Sequence, residues 1–487
     1  MNFSIIKRTL GWILLFEAVF FLVPMITAAI YWEEEFFAFM ITMLVCGVFG
    51  GFCLIGKPKN TNIYAKEGCV IVALSWIVMS LFGALPLFFS GVDAYSNYVD
   101  ALFEIVSGFT TTGATIVPTG AQVAALPKCI LMWRSFSHWV GGMGVLVFIM
   151  AFLPLSGARN LYIMKAESPG PEVSKLVPRV RKTALILYVI YTGMTVVEFV
   201  MLLCGGMSIF EAINASFATA GTGGFSVKAD GFLGYSSYLQ IVVTVFMLLF
   251  SINFTSYYLI GKGKFKDAFN AEVRAFLWIV LAAITLVTLN LHFTQSQALS
   301  GGAALKHSAF SVASVISTTG FATVNFAEWP AFAQTVLVLI MFIGACAGST
   351  GGGIKVSRVV IMGKGAYHEV GRMLHPKLVK KITMDKQVVS HEVVRSVTAF
   401  FMAYVLIFVV SLLLISLDGM DTTTNFTAVA ATINNIGPGL GRVSPAGSFA
   451  DFSGWSKIVF IFDMLVGRLE VFPMLVLFAP KTWKKGA

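Results

Sequence analysis

Four short segments of one design recur along the chain: DALFEIVSGFTTTGAT (residues 100–115), FEAINASFATAGTGGFS (210–226), HSAFSVASVISTTGFAT (307–323) and NFTAVAATINNIGPGLG (425–441). In each, about ten small or apolar residues of helix-compatible sequence lead into Thr, Ser or Asn, and a glycine ends the run. A helix of ten residues rises only about 15 Å, roughly half of a bilayer's hydrocarbon core. Each segment nevertheless lies between two apolar runs long enough to span one. Repetition at near-regular intervals marks a repeated architecture: helix, re-entrant half-helix, glycine-bearing loop, helix, four times over.

The rest of the sequence supports this frame. The chain is 57% hydrophobic and 12% charged, which no soluble domain sustains. Spans are predicted over 11–32, 36–55, 68–90, 128–154, 183–206, 237–260, 272–294, 332–362 (broken), 394–417 and 455–479. The fold class is therefore an all-α polytopic membrane protein. Two leading transmembrane helices precede four pseudo-repeated helix–pore loop–helix units around one central pore. The expected divisions are 1–66 for the leading pair, then units at 67–165, 166–270, 271–390 and 391–487, the third carrying the broken helix. The first run contains Glu17 and Pro24 and is longer than a cleaved signal peptide, so it reads as a retained span.

Twenty-seven of the 34 Lys and Arg fall in the N-terminal tail, 57–66, 157–182, 261–274, 355–395 and the C-terminal KTWKK. Alternating spans place all six clusters on one face. That is the positive-inside pattern, with both termini cytoplasmic and the four glycine loops opening outward. The net charge of +10 thus reports topology, and no nucleic-acid partner is implied. The six cysteines are single, without zinc or disulfide spacing. His138, in HWVGG, reads as a packed histidine rather than a ligand.

Irregular backbone is forbidden in lipid, because each unpaired N–H or C=O costs several kcal/mol there; it is tolerated around water or an ion. Four loops meeting at one axis present main-chain carbonyls that can replace a cation's hydration shell. Glycine permits the positive φ that such a loop needs. The residues expected at the ring are Thr111, Thr112 and Gly113; Thr219, Ala220, Gly221, Thr222 and Gly223; Thr318, Thr319 and Gly320; and Asn435, Ile436 and Gly437. The second register is open: counting from Phe217 as from Phe109 selects Gly221, whereas aligning TGGF with TTGF selects Gly224. Ordinary Thr/Gly turns and small-residue helix packing are the plainer reading of any one segment; four in corresponding positions favour the ring.

A second interruption falls inside the span 332–362, at GACAGSTGGGIK. Glycine costs about 0.8–1 kcal/mol relative to alanine in a helix, so Gly344, Gly348, Gly351, Gly352 and Gly353 predict a break facing water. Close packing through Gly344, Gly348 and Gly352 is the alternative. A phosphate loop is excluded because Lys355 is followed by Val356 and not by Ser or Thr. Ser349 and Thr350 can satisfy loop peptides. Arg468 lies deep in the last span, where a charge costs about 2.5–3.5 kcal/mol. It must face the pore or a partner, and the neighbouring Glu470 and Asp463 point elsewhere on the helix. The residues 344–353, Lys355 and Arg468 are the expected gate. A structural ion pair of Arg468 with another carboxylate is the competing reading.

Taken with GSTGGGIK and GRLEVFP, the segments SGFTTTGAT, GTGGFS and STTGFAT resemble the membrane subunits of the bacterial Trk/Ktr potassium-transport superfamily, over nearly the whole chain. The resemblance implies K⁺ and Rb⁺ permeation through one pore per chain, in the bacterial inner membrane. It further implies a homodimer controlled by a cytoplasmic, nucleotide-binding TrkA-type ring, with the 344–353 stretch as intramembrane gate. The transported K⁺ in the filter is the only bound species implied; no cofactor is. The presence of Gly113, where sodium-preferring plant relatives carry serine, fits a K⁺-preferring filter, while Asn and Pro in the fourth loop depart from four-fold equality. The segment 355–395, including Lys377, Lys380 and Lys381, and the 157–182 loop are candidate docking surfaces for the ring; a plain solvated basic face is the alternative. A secondary K⁺/H⁺ or K⁺/Na⁺ symporter is the competing function. Against it stand four loops of one orientation and a shortage of buried carboxylates, with Glu17 and Glu470 the only plausible proton carriers. No paired Asp, Ser/His pair or HExxH motif suggests an intramembrane enzyme.

Overall fold

The computed structural model describes residues 1–56, 64–144, 180–294, 300–375, 381–385 and 387–483. Among them the only strands are a two-residue hairpin, β1 Thr383–Met384 and β2 Gln387–Val388. The leading spans are α1 Phe3–Tyr31 and α2 Phe36–Leu54, followed by α3 Ala65–Phe89. Half-helix α4 (Tyr98–Phe109) and α5 (Lys128–Gly142) complete the first repeat. The second comprises α6 Val180–Cys204, half-helix α7 Ile209–Ala220, α8 Ser237–Phe250 and α9 Phe254–Gly261. The third comprises α10 Ala271–Thr294, half-helix α11 Gly301–Ile316, α12 Ala331–Ile343 and α13 Val356–Leu374. The last comprises α14 His391–Ile415, half-helix α15 Thr422–Ile433, α16 Gly454–Arg468 and α17 Phe472–Phe478.

Burial identifies which elements form the interior. Half-helix α4 buries Ala101 and every residue from Phe103 to Phe109, and α15 buries Thr427 through Ile433. The long helices bury one stripe only. In α14, Val397, Phe400, Tyr404, Phe408, Ser411 and Ile415 face inward at three- and four-residue spacing. Met402, Val405, Leu406, Val409 and Leu413 on the other face are equally apolar and exposed. A helix apolar all round with one face outward is surrounded by lipid. The chain is an all-α polytopic membrane protein; six described helices have the length and hydropathy of single spans.

Three expected spans differ. The run 237–260 bends by 91° between Phe250 and Phe254, where Asn253 caps α9 by accepting a hydrogen bond from Thr255 N. The run 455–479 breaks after Arg468: Glu470 and Val471 hold φ of 57° and 66°, and Pro473 stands in the first turn of α17, where proline is at home. The run 128–154 is helical to Gly142; 145–154 lie outside the described residues.

Candidate functional site

Each half-helix is capped at its start by a short polar side chain. Asn97 accepts from Val99 N, Ser208 from Glu211 N, Ser300 from Ala303 N and Asp421 from Thr424 N. Each also ends in one way. The backbone N–H groups of Thr112, Gly223, Thr319 and Ile436 reach back five residues to Ser107, Ala218, Ser314 and Ala431, at 2.8, 2.8, 2.9 and 2.9 Å. The preceding residues, Thr111, Thr222, Thr318 and Asn435, donate three residues back and hold left-handed φ of 56°, 55°, 60° and 55°. These are four Schellman endings with a side chain in the position usually held by glycine, at about 1–2 kcal/mol each for the left-handed backbone.

Two residues further, Gly113, Gly224, Gly320 and Gly437 again have positive φ, of 79°, 79°, 84° and 93°. Thr112, Gly223, Thr319 and Ile436 between them do not have positive φ, so the sign of φ alternates along each loop. The loops then close on one another. A Cβ on Gly113 would meet the carbonyl oxygen of Gly223 at 1.9 Å, and one on Gly224 that of Thr319 at 1.9 Å. One on Gly320 would meet that of Ile436 at 2.1 Å, and one on Gly437 that of Thr112 at 2.7 Å. The contacts run from the first loop to the second, third, fourth and back to the first. Only glycine fits at these four contacts.

The second-loop register is thereby fixed on Thr222, Gly223 and Gly224. Thr219 and Ala220 belong to α7 and Gly221 is its right-handed C-cap, so these three stand before the ring residues, and Gly224 joins them. The aromatic after the glycine (Phe225, Phe321) was the signal for it. Beside the ring lies a cavity of about 230 Å³ walled by all four loops, including the four glycines. Its charged lining residues are Arg134 and Lys228, each beside a carboxylate: Arg134 2.8 Å from Glu104 and Lys228 3.5 Å from Glu211. Among the described residues no acidic side chain lines the cavity, and the partially negative ends of the half-helices terminate at the ring.

The break in the third repeat lies directly against this ring. Gly344, Gly348 and Gly353 hold φ of 72°, 71° and 79°, and Lys355 holds 83°. Gly352 N donates to Thr318 Oγ1 at 2.6 Å. A Cβ on Gly351 would meet Ser317 O at 2.8 Å, and one on Gly352 would meet Asn434 O at 2.4 Å. Gly344 and Gly353 pack on each other, Ser349 Oγ donates to Cys346 O at 2.6 Å, and the Lys355 ammonium donates to Gly351 O. All the expected gate residues of the loop thus form one cluster.

Its peptide groups meet protein more than water, which corrects the expectation of a water-facing break. The second break, between α8 and α9, supplies the partners. Cys346 N donates to Ser251 O at 3.0 Å, Thr350 N to Phe250 O at 3.4 Å, and Phe254 N to Gly348 O at 3.0 Å. Two interrupted helices satisfy each other's orphan groups. Glu272, on α10, grips the loop at both ends, accepting from Ala347 N at 2.7 Å and Ser357 N at 3.1 Å. Nothing in the local pattern around Glu272 marks that role. Arg468 donates to Thr350 O at 2.8 Å and to Gly142 O at 2.7 Å, with Gly141 O also accepting. The guanidinium therefore ties loop, last span and the end of α5 through carbonyls. Glu470 pairs with Arg358, whose Nη2 donates to Oε2.

The expected shortage of buried carboxylates is overturned. Glu17, Glu104, Glu198, Glu272 and Asp463 are all buried. Glu104 is held by Arg134, Thr115 and Ile116 N, and Asp463 by Ser411. Of the docking residues, Lys377, Lys380 and 157–179 lie outside the described residues; Lys381 is exposed.

Comparison with known proteins agrees with this geometry. The TrkH family, described as cation transport protein, matches residues 35–485. The chain is 36% identical over 493 residues to the Trk system potassium uptake protein TrkH of Escherichia coli K12, covering 100% of both chains. It is 37% identical over 497 residues to the same protein of Vibrio parahaemolyticus, covering 99% of this chain and 100% of that one. The crystal structure of the potassium transporter TrkH from Vibrio parahaemolyticus superposes with a TM-score of 0.88 at 35% identity, over 99% of this chain and 100% of that one. With its ring of four glycine loops and its fold accounted for over the full length, the chain belongs to the TrkH family of cation transport proteins, a transporter family and not an enzyme family.

Proposed function

We propose that the chain takes up K⁺, and Rb⁺ with it, through one gated pore formed by the four repeats, whose divisions fall near residues 66, 165, 270 and 390. The observation that carries this reading is the closed ring of Schellman loops at 111–113, 222–224, 318–320 and 435–437. Its backbone alternates in hand, so main-chain oxygens are available to a dehydrated cation. The Thr111 hydroxyl, buried and without a hydrogen-bond partner among the described residues, is a further free oxygen. The potassium uptake named for the relatives supports K⁺ as the cargo.

The 344–355 loop and Arg468 form the gate. The loop crosses against the inner ends of the third and fourth half-helices, and a guanidinium about 8 Å from a K⁺ at an effective dielectric near 20 raises its energy by roughly 2 kcal/mol. The protein sits in the bacterial inner membrane with its basic clusters and both termini cytoplasmic. It acts as a homodimer, and its basic face receives a nucleotide-binding TrkA-type ring. ⁸⁶Rb⁺ uptake into proteoliposomes tests the pore: Gly320→Ala, whose Cβ would overlap Ile436 O, abolishes the preference for Rb⁺ over Na⁺. An unchanged preference contradicts the filter.

The buried carboxylates favour one second reading, a K⁺/H⁺ symporter using Glu198 or Asp463. It predicts a reversal potential that follows the pH gradient; the channel predicts one that follows K⁺ alone.

A further inference from the structure

The second ring loop differs from the others at the positions flanking its left-handed residue, which carry no side chain; the Thr222 hydroxyl bonds only to the adjacent Gly221 O, at 2.6 Å. In the first and third loops the two positions flanking the left-handed residue carry hydroxyls that bond to each other. Thr110 and Thr112 lie 2.8 Å apart, and Ser317 and Thr319 lie 2.6 Å apart. In the fourth, Asn435 Nδ2 donates to Thr112 Oγ1 at 3.0 Å and to Met464 O at 2.9 Å. The corresponding second-loop positions are Gly221 and Gly223.

The missing volume is occupied by His138 of α5, which is fully buried. A Cβ built on Gly223 would lie 2.1 Å from His138 Nδ1, 2.2 Å from Cγ and 2.5 Å from Cε1; one on Gly221 would lie 2.2 Å from the His138 carbonyl oxygen. The ring also has two hydrogen bonds across elements. Nδ1 is 2.8 Å from Gly108 O, at the end of half-helix α4, and Nε2 is 3.3 Å from Phe225 N, directly after Gly224. Gly108 O can only accept and Phe225 N can only donate, so these partners require the proton on Nδ1 and a lone pair on Nε2. The imidazole packs on Phe225 with centroids 4.4 Å apart. One helical turn earlier, Arg134 stacks on the same phenyl ring at 4.0 Å while paired to Glu104.

We infer that His138 is the positioning residue for the second filter loop, standing in for the side chains that Gly221 and Gly223 lack and tying that loop to the first half-helix. This rests on the filter reading of the ring. It explains the run of glycines in this loop: Gly223 leaves room for the imidazole and Gly221 for the His138 main chain, whereas Gly224 is needed for backbone conformation. His138 touches no transported ion; it acts through the loop.

The test is a two-position cycle in the full-length protein, read as Rb⁺ over Na⁺ selectivity of ⁸⁶Rb⁺ flux in proteoliposomes and as thermal midpoint in detergent. His138→Ala lowers selectivity roughly tenfold, the scale of one lost hydrogen bond's net contribution. Gly223→Thr alone, colliding with the imidazole, lowers both selectivity and midpoint. The double variant His138→Ala/Gly223→Thr recovers much of both, because the threonine fills the vacated space and finds room for a hydroxyl. Native selectivity in His138→Ala, or a double variant no better than the worse single one, overturns the proposal. Should His138→Ala fail to fold, midpoints of Gly223→Thr and the double variant still decide it: rescue supports the complementarity and its absence refutes it. Gly320→Ala is measured alongside. If Gly320→Ala leaves selectivity intact the filter reading fails; if it destroys selectivity while His138→Ala does not, only the role of His138 fails.

Discussion

Removing the Arg468 guanidinium frees the intramembrane loop from one of its strongest attachments. The side chain spans from α16 to Thr350 O on the loop and to Gly141 and Gly142 O at the end of α5. Among the described residues, the Thr350 bond is the one that restrains the loop itself. A hydrogen bond with a charged partner contributes about 1.5–3 kcal/mol. Loss of that much shifts the balance between docked and undocked loop by roughly tenfold to somewhat over a hundredfold. The Coulomb barrier of roughly 2 kcal/mol to a passing cation is removed with it. Arg468→Ala is therefore expected to raise ⁸⁶Rb⁺ uptake into proteoliposomes at least about tenfold. Arg468→Lys keeps the charge but cannot span three carbonyls with a planar fork, and is expected to fall between the two. If uptake in Arg468→Ala equals that of the native protein while the thermal midpoint is unchanged, the guanidinium neither holds the loop nor opposes the ion, and the gate assignment fails.

Three further outcomes follow from the same contacts. Glu272→Ala leaves the N–H groups of Ala347 and Ser357 without an acceptor, at about 1–3 kcal/mol each; hydrogen exchange of both amides should accelerate by ten- to a hundredfold, and unaltered exchange would show that the carboxylate is not the clamp. Ser300→Ala removes the cap of half-helix α11 and is expected to destabilise by about 1 kcal/mol, read as a lowered thermal midpoint with native ion selectivity. The Asp421 carboxyl, capping α15 at its exposed end, is held below its ordinary value chiefly by hydrogen bonds from the Thr424 hydroxyl and N–H. A depressed carboxyl stabilises above the unfolded value near 3.9 and loses that contribution as pH falls through the folded one. Asp421→Asn should therefore narrow the stability difference between pH 7 and pH 3, and an identical pH profile would exclude the cap as its source.

What could be read from the sequence follows the range of the interactions concerned. The half-helices were legible because a length too short to span and a terminal glycine recur four times. The break at 344–355 was legible because so many glycines cannot sit in one helix. The second-loop register was legible only in part: the aromatic after TGG selects Gly224, counting from Phe217 selects Gly221, and the contact of Gly224 with Thr319 O decides between them. The bend at 251–253 leaves little local sign, because its free peptides are satisfied by the distant loop, not by any local cap beyond Asn253. The burial of Glu198, Glu272 and Asp463 has no local sign either: each sits near one edge of an apolar run or alone in it, and burial depends on neighbouring helices. Pro473, by contrast, was a local sign of the break before α17 that hydropathy alone does not weigh.

The most direct measurement of the central claim is anomalous diffraction from crystals grown in Rb⁺ or Tl⁺. The account predicts ordered monovalent density on the axis enclosed by the carbonyls of 111–113, 222–224, 318–320 and 435–437, displaced by K⁺ and weakened in Gly320→Ala. An occupied membrane protein whose anomalous peaks all lie away from those carbonyls would contradict it.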